Sequence, residues 1–385
     1  MPTAPPAGHL AALTAAAGGA GPTARPAQVL ADRPDVTVVR SGPAVAKAHA
    51  PDCDPADLAV RLRVAAHPRL RGIVLPPLPL TAPDGFLTLL DDGRPVTRWP
   101  YGRPVAPDDP AAAPWEDAAR LLARLHTVRP GTLPGPVPPM RGPAKAARAL
   151  ARLRAATAPR PDGTAPVSSY GTTGARPDGT TPVPPYDTTA APVAGARTLA
   201  EAGPPAKART PGETRTPGET RTLAEARAVI ERAWSLLPAW ARDEAPSPRT
   251  DALCHGDLHL GQLVRHPAPE GPWLLIDIDD LGLGDPAWDL ARPAAWYATG
   301  LLAPDVWSRF LDAYRRAGGP AVRPDGDPWP ELDVPARALT VQTAALAVAK
   351  ATAAPRPLDE VEEALVDACA RMAPVPGGLA GGEGE

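Results

Sequence analysis

Cys254-His255-Gly256-Asp257-Leu258-His259-Leu260-Gly261-Gln262-Leu263-Val264 is followed shortly by Leu274-Leu275-Ile276-Asp277-Ile278-Asp279-Asp280. Both runs are apolar apart from the groups that matter here, four carboxylates and two imidazoles. An ionised carboxylate taken out of water needs a partner, a metal or a large pKa shift. Crowding them beside Leu263, Val264 and Ile276 marks a place where a cation or a proton is handled. The rest of the chain is read outward from it.

His255-Gly256-Asp257, with Gln262 five positions after the aspartate, has the spacing of a kinase catalytic loop, His-x-Asp-x-x-x-x-Asn. That spacing has a physical basis. The aspartate must accept a proton from a substrate hydroxyl, and about one turn on an amide oxygen must reach the magnesium that bridges the phosphates. Asp277 ends an apolar strand and supplies the carboxylate for that metal, whose preference is for hard oxygen ligands and retained water. A competing pattern is His255-x-Asp257-x-His259, which on a strand faces one way as a metallohydrolase site. It lacks further histidines beyond His266 and leaves the run from Asp277 to Asp289 unexplained.

Upstream, Asp35 to Arg40 and Ala44 to His49 read as two strands around a Ser41-Gly42-Pro43 turn, which sets Lys47 on a half-buried strand. Asp54 caps a helix from Pro55 to Ala66. Phe86 to Leu90 and Pro95 to Trp99 flank an Asp-Gly hairpin signal. From Trp115 the period turns helical, through Leu121, Leu122 and Leu125 to His126, expected as a packed helix-end histidine. A second helix from Pro143 to Ala156 carries Lys145, Arg148, Arg152 and Arg154, expected as a solvated face. Thr222 and Glu225 form a capping box before another helix. The tail from Pro293 to Ala370 is helical.

Composition bounds the rest. The chain has 385 residues with 56 prolines and 34 glycines, and the excess is uneven. Between 157 and 221, Arg-Pro-Asp-Gly-Thr and Thr-Pro-Gly-Glu-Thr-Arg recur, with too little apolar surface to offset ordering entropy. A disordered Pro/Gly/Thr-rich insertion is expected there. The Ala/Gly/Pro-rich residues 1–30 are expected to be poorly ordered, and 376–385 a disordered tail. The net charge of −3 carries no basic block of nucleic-acid type. Three scattered cysteines fit free thiols in a reducing cytoplasm. No apolar run approaches the roughly 18 residues of a membrane span, and no secretory signal is visible.

The stretch from Leu253 to Leu263, together with Ile276 to Ala291 and its Gly284-Asp285-Pro286-x-x-Asp289-Leu290-Ala291 motif, resembles the aminoglycoside phosphotransferase and choline kinase-like superfamily. Leu122-Ala123-Arg124-Leu125-His126 and Val45-Ala46-Lys47 sit where that family has its linker-side helix and its phosphate-binding lysine. The resemblance implies an α+β, bilobal protein-kinase-like fold. A small β-rich N-lobe (31–105) would precede a larger helical C-lobe that starts at 106–156 and resumes at 222–375. It implies Asp257 as general base with His255 bracing the loop, and Gln262 and Asp277 on Mg2+. Lys47 would meet the ATP phosphates, and Trp99 and Tyr101 the adenine. Asp289 and Asp285 would support the catalytic loop, and His259 and Asp279 stand as possible outer ligands. The implied activity is transfer of the ATP γ-phosphate to a hydroxyl of an aminoglycoside, amino sugar, sugar or similar metabolite, in the cytoplasm. A nucleotide-binding pseudokinase is the alternative of another class.

Three departures stand out. Gln262 replaces the usual asparagine, a form that also resembles maltokinase-like sugar kinases. No glutamate precedes Glu116, so the family's Lys–Glu pair has no N-lobe acid, and Asp54 or Asp57 is the expected substitute. Gly18-Gly19-Ala20-Gly21 is the one candidate glycine-rich loop.

Overall fold

The computed structural model describes residues 7–18, 27–33, 35–80, 85–106, 113–158 and 221–374. The expected insertion lies outside the described residues except at its ends, as do the tail 376–385 and Gly19 to Gly21.

The first lobe is built on an antiparallel sheet of β1 (Gln28–Arg33), β2 (Val36–Ser41), β3 (Ala44–Ala48), β4 (Leu87–Leu89) and β5 (Pro95–Pro100), in the order β1-β2-β3-β5-β4. Alternation along the strands splits the residues between two faces. Val45 and Lys47 on β3 pair with Trp99 and Thr97 on β5, so these four share one face. Val39, Ala46, Ala48 and Val96 form the other, which is closed by Leu13 and Ala17 into a small separate core.

Leu13 belongs to α1 (Ala7–Ala16), so the composition-based reading of residues 1–30 as poorly ordered is corrected for this segment. Alanine-rich composition hid a spaced set, Leu10, Leu13 and Ala17, that covers the outward sheet face. Small residues on that face let the helix lie close. β1 was missed as well, and its pairing with β2 is interrupted by a bulge between Val29 and Ala31.

After β3 comes α2 (Pro55–Ala66), capped as expected by Asp54, whose carboxylate accepts the Ala56 N–H at 2.8 Å. Its Leu58 and Leu62 enter the main core. Buried Arg61 donates from Nε to the Leu281 carbonyl at 2.8 Å, which ties this helix to the second lobe.

The larger lobe is helical: α3 (Trp115–His126), α4 (Gly142–Ala156), α5 (Leu223–Ser235), α6 (Ala287–Ala298), α7 (Pro304–Arg316), α8 (Trp329–Ala353) and α9 (Glu360–Ala370). The Thr222–Glu225 capping box is present. α8 is the central post, packed against α4, α5, α6 and α9. Pro330 occupies its first turn, where no N–H is needed, and Pro335 is accommodated within it. Two small sheets join the lobes. β7 (Ala252–Cys254) pairs with β10 (Gly282–Gly284), while β6 (Arg103–Pro104), β8 (Leu263–Arg265) and β9 (Trp273–Leu275) form the other. Among the described residues no helix is long and apolar enough to cross a membrane.

Leu13→Ala tests the α1 packing. Truncating a fully buried leucine is expected to lower the unfolding free energy by about 3 kcal/mol, read as a reduced midpoint in urea.

Candidate active site

β7 ends at Cys254, and the next residues turn away from the sheet. Gly256 has φ +84°, and a Cβ there would overlap the Asp280 carbonyl, so only glycine lets the two key runs touch. The loop is held from below by Asp289 on α6. Its Oδ2 accepts from the His255 N–H at 2.6 Å and from His126 Nε2 at 2.9 Å, and its Oδ1 accepts from the Gly256 N–H at 2.7 Å. Burial favours a protonated Asp289, but the bond to His126, the charges of His126 and His255 and the His255 N–H together outweigh it and keep the pKa below the ordinary value. His126 Nδ1 meets the Tyr314 hydroxyl at 2.7 Å. His126, expected as a packed histidine, is packed and also braces the loop.

His255 turns its Nε2 to the Ile276 carbonyl at 2.8 Å and so locks the two runs together. His255, Asp257 and His259 do not converge. Among the described residues the one group with metal-ligand spacing is His126, Cys254 and Asp289, whose His126 nitrogens are both engaged. The strand-borne His-x-Asp-x-His metal site is therefore corrected: the segment is a loop, not a strand.

Asp277 sits just past β9 with φ +65°, a conformation uncommon outside glycine that aspartate tolerates better than most residues. Its Oδ1 pairs with Lys47 Nζ at 2.6 Å and its Oδ2 accepts from Gln262 Nε2 at 2.9 Å. Lys47 also reaches Asp279 Oδ2 at 3.0 Å. Burial works against the Lys47 ammonium, but Asp277 and Asp279 more than offset it and hold its pKa above the usual lysine value. Asp54 caps α2 and Asp57 pairs with Arg61 at 3.5 Å, so neither partners Lys47. That expectation is corrected: the acids come across the cleft because the first lobe has no carboxylate long enough in place.

Asp279 is drawn into the first lobe as well. His49 Nδ1 lies 3.0 Å from its Oδ2, His49 Nε2 lies 2.8 Å from the Thr97 hydroxyl, and Trp99 Nε1 donates to that hydroxyl at 2.8 Å. Assigned from these partners, the protons run Trp99 to Thr97 to His49 to Asp279. His49 was missed, although its position two residues after Lys47 puts both on one strand face. Asp279 Oδ1 is buried without a partner among the described residues.

Asp257 projects into the same cleft, its Oδ2 2.5 Å from Lys145 Nζ and its Oδ1 2.8 Å from Arg292 Nη2. Lys145 continues to Asp280 Oδ2 at 2.7 Å. Burial alone would raise the Asp257 pKa, but Lys145 and Arg292 hold it far below the carboxylate range. The solvated reading of the α4 face is thus corrected at Lys145, whose side chain is 22% exposed. One signal was available: the chain has four lysines among 40 basic residues, and two stand in this cleft.

His259 lies beside Asp257 and Asp277. Its Nδ1 accepts the Gly261 N–H at 3.1 Å, which leaves the proton on Nε2, buried and unpaired. Burial outweighs the pull of Asp257 and lowers its pKa to about 4. Asp285 accepts the Ala287 N–H at 3.0 Å and starts α6; its support of the loop acts through Asp289 on that helix.

Lys47, Lys145, Asp257, His259, Gln262, Asp277, Asp279, Asp280 and Arg292 line one cleft of about 900 Å³, the size of a small-ligand site. Val45, Trp99, Leu75, Val264 and Ile276 make part of its wall apolar. Tyr101 borders it with its ring beneath the Arg40 guanidinium, 3.4 Å from the ring centre, so its face is already covered.

The family model described as "Phosphotransferase enzyme family" matches residues 31–334. The chain belongs to this family and is a phosphotransferase acting on hydroxyl acceptors. Solved structures of similar fold include a choline/ethanolamine kinase family protein from Mesorhizobium loti at 16% identity, covering 94% of this chain and 91% of that one with a TM-score of 0.47. Another is a Plasmodium vivax ethanolamine kinase at 10% identity, covering 90% and 82% with a TM-score of 0.45. A third is the macrolide 2'-phosphotransferase MphH from Brachybacterium faecium at 16% identity, covering 94% and 98% with a TM-score of 0.41. No curated protein matches the chain in sequence.

Two measurements check this geometry. Gly256→Ala should shift the loop and reduce turnover by about 100-fold, the scale expected for misplacing reacting groups by an ångström. In an NMR titration His259 should protonate near pH 4, below its unfolded value of roughly 6.5. The sign follows: its contribution to stability is full above about pH 6.5 and is lost as the pH falls toward 4.

Proposed function

We propose that the protein transfers the γ-phosphoryl group of ATP to an alcohol of a small molecule, within the range of aminoglycosides, amino sugars, sugars and similar metabolites. The observation that carries this reading is the meeting of Lys47 with Asp277 and Asp279 in the cleft where Lys145 and Arg292 hold Asp257. Lys47 neutralises the α- and β-phosphates, and the apolar wall around Val45 and Trp99 takes the adenine. Tyr101 braces the hinge beside the nucleotide: its N–H donates to the Pro43 carbonyl at 2.7 Å, its carbonyl meets His266 Nδ1 at 3.1 Å, and its ring lies under Arg40.

The donor set suits a hard divalent cation. Asp277 and Asp279 are adjacent carboxylates, Gln262 stands against Asp277, and the buried Asp279 Oδ1 has no other partner. These three would hold Mg2+, which supplies charge neutralisation on the phosphates.

Asp257, fully ionised beside two cations, accepts a hydrogen bond from the acceptor hydroxyl and points its oxygen at the phosphorus. A carboxylate of such low basicity takes the proton late, after the new O–P bond is largely formed. That fits a loose phosphoryl transfer governed by positioning and charge. His259 also lines the cleft, its Nε2–H buried and unpartnered among the described residues. The need for ATP and the three free cysteines support a cytoplasmic location.

Asp257→Asn should lower kcat for ATP-dependent phosphorylation by at least ~1,000-fold while nucleotide binding persists, the pattern of a group used in the transition state. Lys47→Met should instead weaken ATP affinity, by about 10- to 100-fold for one lost charge-assisted contact. Undiminished turnover in Asp257→Asn, measured by ADP release, would refute the assignment.

A further inference from the structure

The wall facing Asp257 carries more positive charge than the reaction uses. Arg141, Lys145, Arg148 and Arg152 follow one another at helical spacing along α4, and all four line the cleft with Arg292. Against them stand Asp257 and Asp280, both already engaged by Lys145, while Asp35 and Asp52 also line the cleft without an ion pair to this row among the described residues. Arg141 has Asp280 no nearer than 3.8 Å. Arg148 and Arg152 have no carboxylate within ion-pair distance among the described residues; Asp280, Asp52 and Asp243 act on Arg148 only from further away. The comparison within the chain is telling, since Arg154 on the same helix pairs with Glu231 at 2.6 Å.

The opposite side of this pocket comes from α8, and it holds the second observation. Gln342 is 6% exposed, lines the cleft, and has no hydrogen-bond partner for its side chain among the described residues. Its amide is open to the cleft and not spent on the protein, so its N–H groups are free to donate to an acceptor oxygen of a bound molecule. Thr343 beside it spends its hydroxyl proton on the Leu339 carbonyl and contributes only lone pairs.

We propose that the acceptor is an acidic alcohol: its hydroxyl sits at Asp257, and its carboxylate or phosphate docks on Arg148 and Arg152 with Gln342 as a further donor. This rests on the phosphotransferase reading and narrows its acceptor. At a rise of roughly 1.5 Å per residue, Arg148 and Arg152 lie about 4.5 and 10 Å along α4 from Lys145. That span suits a molecule of three to six carbons with hydroxyl and acid at its two ends. A polycationic acceptor would instead bring ammonium groups to a wall with surplus positive charge. Two arginines reading an oxyanion can do so through paired N–H donors, which gives direction as well as attraction.

The test uses the full chain and two matched series: glycerol, serinol, glycerate and glycerol 3-phosphate, then glucose, glucosamine, glucuronate and glucose 6-phosphate. Equilibrium binding is measured with and without ADP. In at least one series an acid should bind at least tenfold tighter than the neutral compound and the amine, and the carboxylate and phosphate arms identify which anion is read. Arg148→Ser/Arg152→Ser, two exposed positions whose melting temperature checks folding, should reduce the preference to less than twofold. Gln342→Leu should weaken the acid alone. Equal or tighter binding of the neutral or amine members, no acid binding at 10 mM in either series, or an unchanged preference in the double variant each overturns the proposal. Failure to bind ADP would sink the nucleotide reading separately, with the charge series still scored.

Discussion

Four carboxylates face one another across this cleft, and their mutual repulsion is the constraint that the structure has to answer. Lys47 sits between Asp277 and Asp279, Lys145 sits between Asp257 and Asp280, and Arg292 adds a third cation on Asp257. Each cation comes from a different element: β3, α4 and α6. The carboxylates thus fix how the sheet lobe, the fourth helix and the sixth helix approach the central loops. Buried pairs of this kind contribute little net stability against an apolar alternative, but removing one member leaves an uncompensated charge that costs about 3–5 kcal/mol. The network specifies geometry more than it adds stability.

The same arrangement divides the labour between two acid pairs. Asp277 and Asp279 are tied to the sheet lobe through Lys47 and the Trp99–Thr97–His49 chain. Asp257 and Asp280 are tied to the helical side through Lys145. Asp289 stands below both, and its buried carboxylate fastens the backbone of His255 and Gly256. A family member that lacks the usual first-lobe glutamate keeps its lysine placed by drawing on a second acid from the other lobe. Arg61 adds a separate tie between α2 and the second lobe by donating to the Leu281 carbonyl.

Much of the fold was legible because it rests on local signals. The Asp54-Pro55 start of α2, the Thr222–Glu225 box and the hairpin around Gly42 are short-range chemistry, and the structure has each of them. What escaped was carried by partners far along the chain. α1 reads as low-complexity until the sheet face it covers is known. Lys145 and Arg148 read alike on a helical wheel, and only the neighbouring loop makes one a bridge between acids while the other stays exposed. His49 carried a faint signal in its spacing from Lys47, but the Asp279 it meets is 230 residues away.

By itself the sequence determined the two polar runs, their spacing and the helix caps, because hydrogen bonds and turn conformations within a few residues do not depend on the rest of the chain. It therefore determined the family. Only the tertiary structure decided which cation meets which carboxylate, that His259 is neutral at neutral pH, and that Arg141 at the start of α4 and three basic residues on it line the cleft. Ion pairs and desolvation depend on distance in space, and no local pattern encodes how two lobes close around a common set of charges.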